Sequence, residues 1–179
     1  MTPLARLIPL LLVCLVPLAA SAARGDSEQP VSIEANKGSI DNQKNVHVFE
    51  GGVVLSQGSL AIRCEKLVVT QDGDGFKKGV ASGGEGGRAS IRQRREGRDD
   101  FVEGRASRIE YDARSRKAIL VGKAEVKSGG DEVRGEYIEY DGATETYLVT
   151  NSKSPEGTDG GGRVRAIIQP RETAGEKSP

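Results

Sequence analysis

A35-N-K-G-S-I-D41, F49-E-G-G-V-V-L-S-Q-G58 and I62-R-C-E-K-L-V-V-T70 are answered later in the chain by A106-S-R-I-E-Y-D112, L120-V-G-K-A-E-V-K-S-G129 and V133-R-G-E-Y-I-E-Y-D141. The offset is constant: 106 − 35, 129 − 58 and 141 − 70 are each 71. Residues 31–70 thus return at 102–141 without a gap. A repeat of this length, built from short alternating apolar segments, implies a stacked β architecture in which neither copy buries its apolar face alone.

Within each copy the alternation changes phase. Leu60, Ile62 and Cys64 face one way on even numbers, and Leu67 and Val69 reach the same face on odd numbers. A one-residue bulge or corner near Glu65-Lys66 keeps both sets inside. The same change falls between Ala35 and Ile40, between Ala106 and Ile109, and between Val133 and Ile138. A small residue marks each place, Ala35, Cys64, Ala106 and Gly135, at spacings of 29, 42 and 29 by subtraction. The longer middle interval holds an irregular insertion, Gln71 to Phe101. There D72-G-D-G75 and S82-G-G-E-G-G87 read as loops, and Ala89, Ile91 and Gln93 as one face of a strand.

Working outward, strands are expected at 31–35, 38–41, 45–50, 53–56, 59–64 and 66–70, then at 101–106, 107–112, 117–121, 123–127, 132–135 and 136–141. Segments 145–150 and 163–169 close the series. No stretch keeps helical periodicity beyond a turn or two. About sixteen short strands at regular spacing predict an antiparallel all-β fold, with two thin sheet faces around a narrow apolar slot. The first strand has no predecessor, so one edge stays open.

The composition fits that economy. Of 179 residues 36% are hydrophobic and only 4% aromatic, with 24 glycines, which argues against a core of large side chains. Lys plus Arg and Asp plus Glu are 26 each, so no global field draws the chain to nucleic acid or to an anionic membrane. Arg6, the apolar run Leu7 to Leu18 and A20-S-A-A23 read as a cleaved secretory signal over 1–23. A single domain over 24–170 and a disordered tail over 171–179 follow. With Cys14 removed, Cys64 is the sole cysteine, and no internal disulfide is available.

Catalytic chemistry finds few candidates. His47, the only histidine, lies between Val46 and Val48 on the expected solvated side of its strand. Cys64 reads as a small buried thiol, since no neighbouring His or Cys suggests metal binding. D72-G-D-G75 lacks the later oxygen ligands of a calcium loop and reads as a glycine-rich hairpin. Arg88, Arg92, Arg94, Arg95 and Arg98, interrupted by Glu96, read as a solvated hairpin face rather than a phosphate site, and no aromatics interleave for base stacking. No cofactor, metal or enzyme activity is expected.

The interior rows carry the functional information. Val31, Ile33, Ile40, Leu60, Ile62, Leu67, Val69, Ile91, Ile109, Tyr111, Leu120, Val133, Ile138 and Tyr140 are placed to line one apolar surface. At about 25 cal/mol per Å² of apolar area, such a surface binds alkyl chains without any catalytic group. A structural or adhesive β-protein with a closed core and no lipid ligand is the alternative.

D26-S-E-Q-P-V-S-I-E-A35, G51-G-V-V-L-S-Q-G-S-L-A-I-R-C-E-K-L-V-V-T70 and E103-G-R-A-S-R-I-E-Y-D112, behind a secretory signal, resemble the LptA or OstA-like family of lipopolysaccharide export components. The resemblance covers about Asp26 to Pro170. It implies a V-shaped β-jellyroll of sixteen antiparallel strands in the periplasm, whose groove shelters the acyl chains of lipopolysaccharide. It also implies head-to-tail joining of copies, an inner-membrane LptC-like partner at the N-terminal edge and an outer-membrane LptD-like partner at the C-terminal edge. By position, Ser27, Val31, Ile33, Ile91 and Tyr111 correspond to lipid-contacting groove residues.

Overall fold

A computed structural model describes residues 26–95, 97–155 and 162–170. The expected signal over 1–23 and tail over 171–179 lie outside the described residues. Among these described residues there are twelve strands: β1 Ser32–Glu34, β2 Lys37–Asp41, β3 Val46–Gln57, β4 Leu60–Asp72, β5 Gly75–Ser82, β6 Ala89–Arg94, β7 Phe101–Ala106, β8 Arg108–Asp112, β9 Lys117–Ser128, β10 Asp131–Asp141, β11 Thr146–Thr150 and β12 Arg165–Ile167. Short 3-10 turns at Asp26–Glu28 and Glu85–Gly87 are the only helical pieces among the described residues.

All pairings are antiparallel, and they divide into two faces. One runs β2, β3, β4, β5, β8, β9, β10, β11. The other runs β1, β3, β4, β6, β7, β9, β10, β12. The long strands β3, β4, β9 and β10 serve both, so twelve strands supply sixteen segments. Several breaks expected between short strands are bends inside long ones.

The bends sit where the phase changes. The β3–β4 ladder shifts register between Glu50 and Val53, and the β9–β10 ladder between Gly135 and Tyr137. Gly51 and Gly52 take φ of 86° and 57°, a region that costs any side chain with a Cβ. In β4, burial passes from Leu60, Ile62 and Cys64 to Leu67 and Val69 across exposed Glu65 and Lys66. Ala35 and Ala106 occupy the equivalent corners between separate strands, β1 to β2 and β7 to β8.

Two expectations change. The insertion contains β5, paired with β4 and β8. Its inward positions carry only Gly79 and Ala81, with Phe76 and Leu67 reaching over Gly79, so bulky alternation is missing from the sequence. His47 is buried, not solvated. Val46 and Val48 lie on the outer face at half burial, so both faces of this segment are apolar and alternation alone selects the wrong one. Its Nε2 donates to Gln71 Oε1 at 2.9 Å, while Nδ1 has no partner among the described residues.

Candidate functional site

Directly opposed residues in an antiparallel ladder share a face, so the pairings draw continuous rows across the molecule. On the first face one inner row reads Ile40, His47, Val69, Gly79, Tyr111, Ala118, Tyr140, Tyr147. On the second a row reads Ile33, Leu55, Ile62, Ile91, Gly104, Val126, Val133, Ala166. Both rows run from the N-terminal edge strands to the C-terminal ones.

The middle of this interior is closed. Leu55, Ile62, Leu67, Ile109, Leu120 and Ile138 are fully buried, each contributing about 1.5–3 kcal/mol through its removal from water. The faces touch at Gly104, where an added Cβ would lie 2.8 Å from Leu120 Cδ2 of the first face and 2.9 Å from Cγ2 of its ladder neighbour Ile91.

Away from the corners the faces part into a mouth of about 570 Å³, lined by Leu60, Val102, Tyr111, Ala113 and Tyr140 on its apolar side and by Gln93, Arg94, Arg98 and Arg116 at its rim. That size is typical of ligand pockets. The chain entering from Asp26 closes one side. Asp26 Oδ1 accepts from the Ser59 amide at 2.9 Å, and Oδ2 accepts from Ser59 Oγ and from Gln93 Nε2 at 3.3 Å. Burial pushes the Asp26 carboxyl up, but these hydrogen bonds and nearby Arg94 outweigh it and hold the group below its ordinary range. Burial raises the Tyr111 phenol, and burial with Tyr147 and Glu145 pushes Tyr140 up to about 12. Both rings therefore face the mouth as neutral phenols.

One ion-pair group spans the mouth. Arg95, at the tip of the β6–β7 hairpin on the second face, donates through Nε and Nη2 to Glu145 at 3.1 and 2.7 Å, in the β10–β11 turn of the first face. Its Nη1 donates to Asp100 at 2.9 Å, and its side chain is only 12% exposed. The expected solvated arginine face is thus divided. Arg92 pairs with Glu103 and covers the Phe101 ring, Arg88 approaches Glu125, and Arg95 is a clamp between the two faces. Sequence spacing held no signal for that role, because Glu145 lies fifty residues away.

The residues expected to line a groove fall into three groups. Leu60, Ile62, Ile91, Ile109, Tyr111, Leu120, Ile138 and Tyr140 are buried on the interior. Val31, Ile33 and Val133 are half-buried toward the edges. Ile40 belongs to the inner row but stands at the open edge, 65% exposed, and is not part of the enclosed interior. The side chain of Ser27 lies outside the described residues.

Cys64 is buried at the β4 corner, and burial pushes its thiol up to about 11. Protein spanning residues 24–179, whose one cysteine is Cys64, is therefore expected at pH 8 to leave this thiol unreacted with a colorimetric disulfide reagent over minutes, and to titrate one thiol after denaturation. Fast labelling of native protein would contradict that packing. Among the described residues no group of three or more His, Cys, Asp or Glu is placed to hold a metal.

Comparison with known proteins agrees with this architecture. The chain is 33% identical over 151 residues to the lipopolysaccharide export system protein LptA of Escherichia coli K12, covering 84% of this chain and 77% of that protein. It is 27% identical to the lipopolysaccharide export system protein LptH of Pseudomonas aeruginosa over 155 residues, 87% of each. The crystal structure of LptH, described as the LptA-homologous periplasmic component of the lipopolysaccharide transport device, superposes with a TM-score of 0.72 at 26% identity, over 81% of this chain and 99% of that one. Residues 32–146 match the model of a non-enzymatic transport family, and the chain belongs to it: the LptA/(LptD N-terminal domain) LPS transport proteins.

Proposed function

We propose that this protein is a periplasmic bridge, exported by its N-terminal signal, that shelters the acyl chains of lipopolysaccharide between its two faces and passes the lipid toward the outer membrane. One observation carries the reading: the inner rows, apolar but for His47, continue to open strand edges at both ends. The large hydrophobic residues exposed among the described residues are Ile40, Tyr147, Leu148, Val164 and Ile168, and all lie on or beside those edge strands. Exposed edges of this kind aggregate unless a partner pairs with them, and strand addition makes them joints. An LptC-like component would dock on β1 and β2, an LptD-like component on β11 and β12, and further copies between them, head to tail. The chain needs no reaction of its own to move lipid along such a path.

The closed middle of the interior favours one competing reading, a packed core with no ligand. Photo-crosslinkers at Val31, Ile33 and Tyr111 separate the two. Purified protein mixed with lipopolysaccharide is expected to give saturable binding and ultraviolet-dependent capture at these positions, with little at outward Ser32. Equal labelling from Ser32, or none from all three, would reject the groove.

A further inference from the structure

The two ends of the molecule are built to one measure. The N-terminal edges are β2 with five residues and β1 with three; the C-terminal edges are β11 with five and β12 with three. Each face also alternates strand direction, so β2 of a following copy meets β11 antiparallel, and β1 meets β12 likewise.

Resting on the bridge reading above, we infer that a second copy of this chain joins in one register. In it Lys37 lies opposite Thr150 and Asp41 opposite Thr146, while Ser32 lies opposite Ile167 and Glu34 opposite Arg165. Only this register pairs every residue of both edge strands. A slip by one residue turns the inner face outward. A slip by two leaves β1 with a single partner.

The side chains agree with that register. Inner positions meet inner positions: Ile40 faces Tyr147, Ile33 faces Ala166, and by continued alternation Val31 faces Ile168. Ile168 is 78% exposed in the single chain and gains an apolar neighbour. On the outer face, Glu34 and Arg165 are both exposed, and neither has an ion-pair partner among the described residues. Arg134, beside Arg165 in the same row, is already held by Glu125 and Glu132. The free charges at opposite ends of the molecule are thus of opposite sign and fall face to face.

Disulfide capture with the full mature chain tests the register, since buried Cys64 does not interfere. Two single variants are mixed and oxidised in each arm. Ile40→Cys with Tyr147→Cys, or Ser39→Cys with Leu148→Cys, is expected to give the strongest mixed dimer, because one of these adjacent pairs is the close, non-hydrogen-bonded kind suited to a disulfide. Ile40→Cys with Val149→Cys, or with Glu145→Cys, reports the two-residue slips. A stronger dimer from either slip overturns the register while leaving end-to-end joining intact. A chain that sediments as a monomer at every concentration overturns both the register and the bridge.

Sedimentation equilibrium adds a second reading. Glu34→Arg and Arg165→Glu are each expected to weaken association roughly three- to five-fold, and their combination in one chain to restore it. A combined variant as weak as the product of the two single effects would show that these residues are not opposed.

Discussion

Leu120→Ala is expected to lower the free energy of unfolding by about 2–5 kcal/mol, the range for truncating a buried leucine where the surroundings cannot collapse. Leu120 is fully buried, and its Cδ2 lies against Gly104 of the second face. The complementary change, Gly104→Ala, pushes a methyl into Leu120 and Ile91 and is expected to cost about 1–3 kcal/mol. Combined, the two should cost less than their sum, because the added methyl enters the space that Leu120 vacates. Urea unfolding of the four proteins measures the coupling. Additivity within about 0.5 kcal/mol would mean that the faces do not touch there.

Arg95→Ala is expected to cost about 1–2 kcal/mol, the lower part of the range for charge-assisted hydrogen bonds, because Glu145 and Asp100 remain partly open to solvent. The variant should also respond differently to acid. The hydrogen bond from Arg95 lowers the Glu145 carboxyl, burial opposes it, and the net position is below the ordinary value. A depressed acid stabilises the fold above its unfolded pKa of about 4.3 and loses that contribution as pH falls through its folded value. The Tm gap between the parent protein and Arg95→Ala should therefore be full at pH 6 and narrow below about pH 4. A gap independent of pH would place the stabilisation elsewhere than in this ion pair.

Much of this architecture was legible because it rests on local chemistry. Alternation exposed the duplicated strands, and a change of phase requires a bend wherever one face stays buried. Ala35, Cys64, Ala106 and Gly135 all occupy corners for that reason. What stayed hidden depends on distant partners. β5 presents Gly79 and Ala81 inward because Phe76 and Leu67 fill the volume above them, so its own sequence has no bulky rhythm. His47 turns inward between two valines because Gln71 supplies a hydrogen-bond partner. The mouth clamp joins Arg95 to a turn that only the closed fold brings near. Leu60, Ile62, Ile109, Leu120 and Ile138 are buried as their alternation predicts, whereas Ile40 shows that an inward row at an open edge need not be enclosed.

The four strands shared by both faces also limit how the protein can move. Because β3, β4, β9 and β10 pass through the corners without interruption, the faces cannot slide past one another or separate without breaking ladders along their full width. One soft motion remains, a hinge about the line of corners, where the backbone turns through residues such as Gly51 and Gly52. Such a spine would let the gap between the faces widen or narrow while strand register, and with it the length of the interior, stays constant.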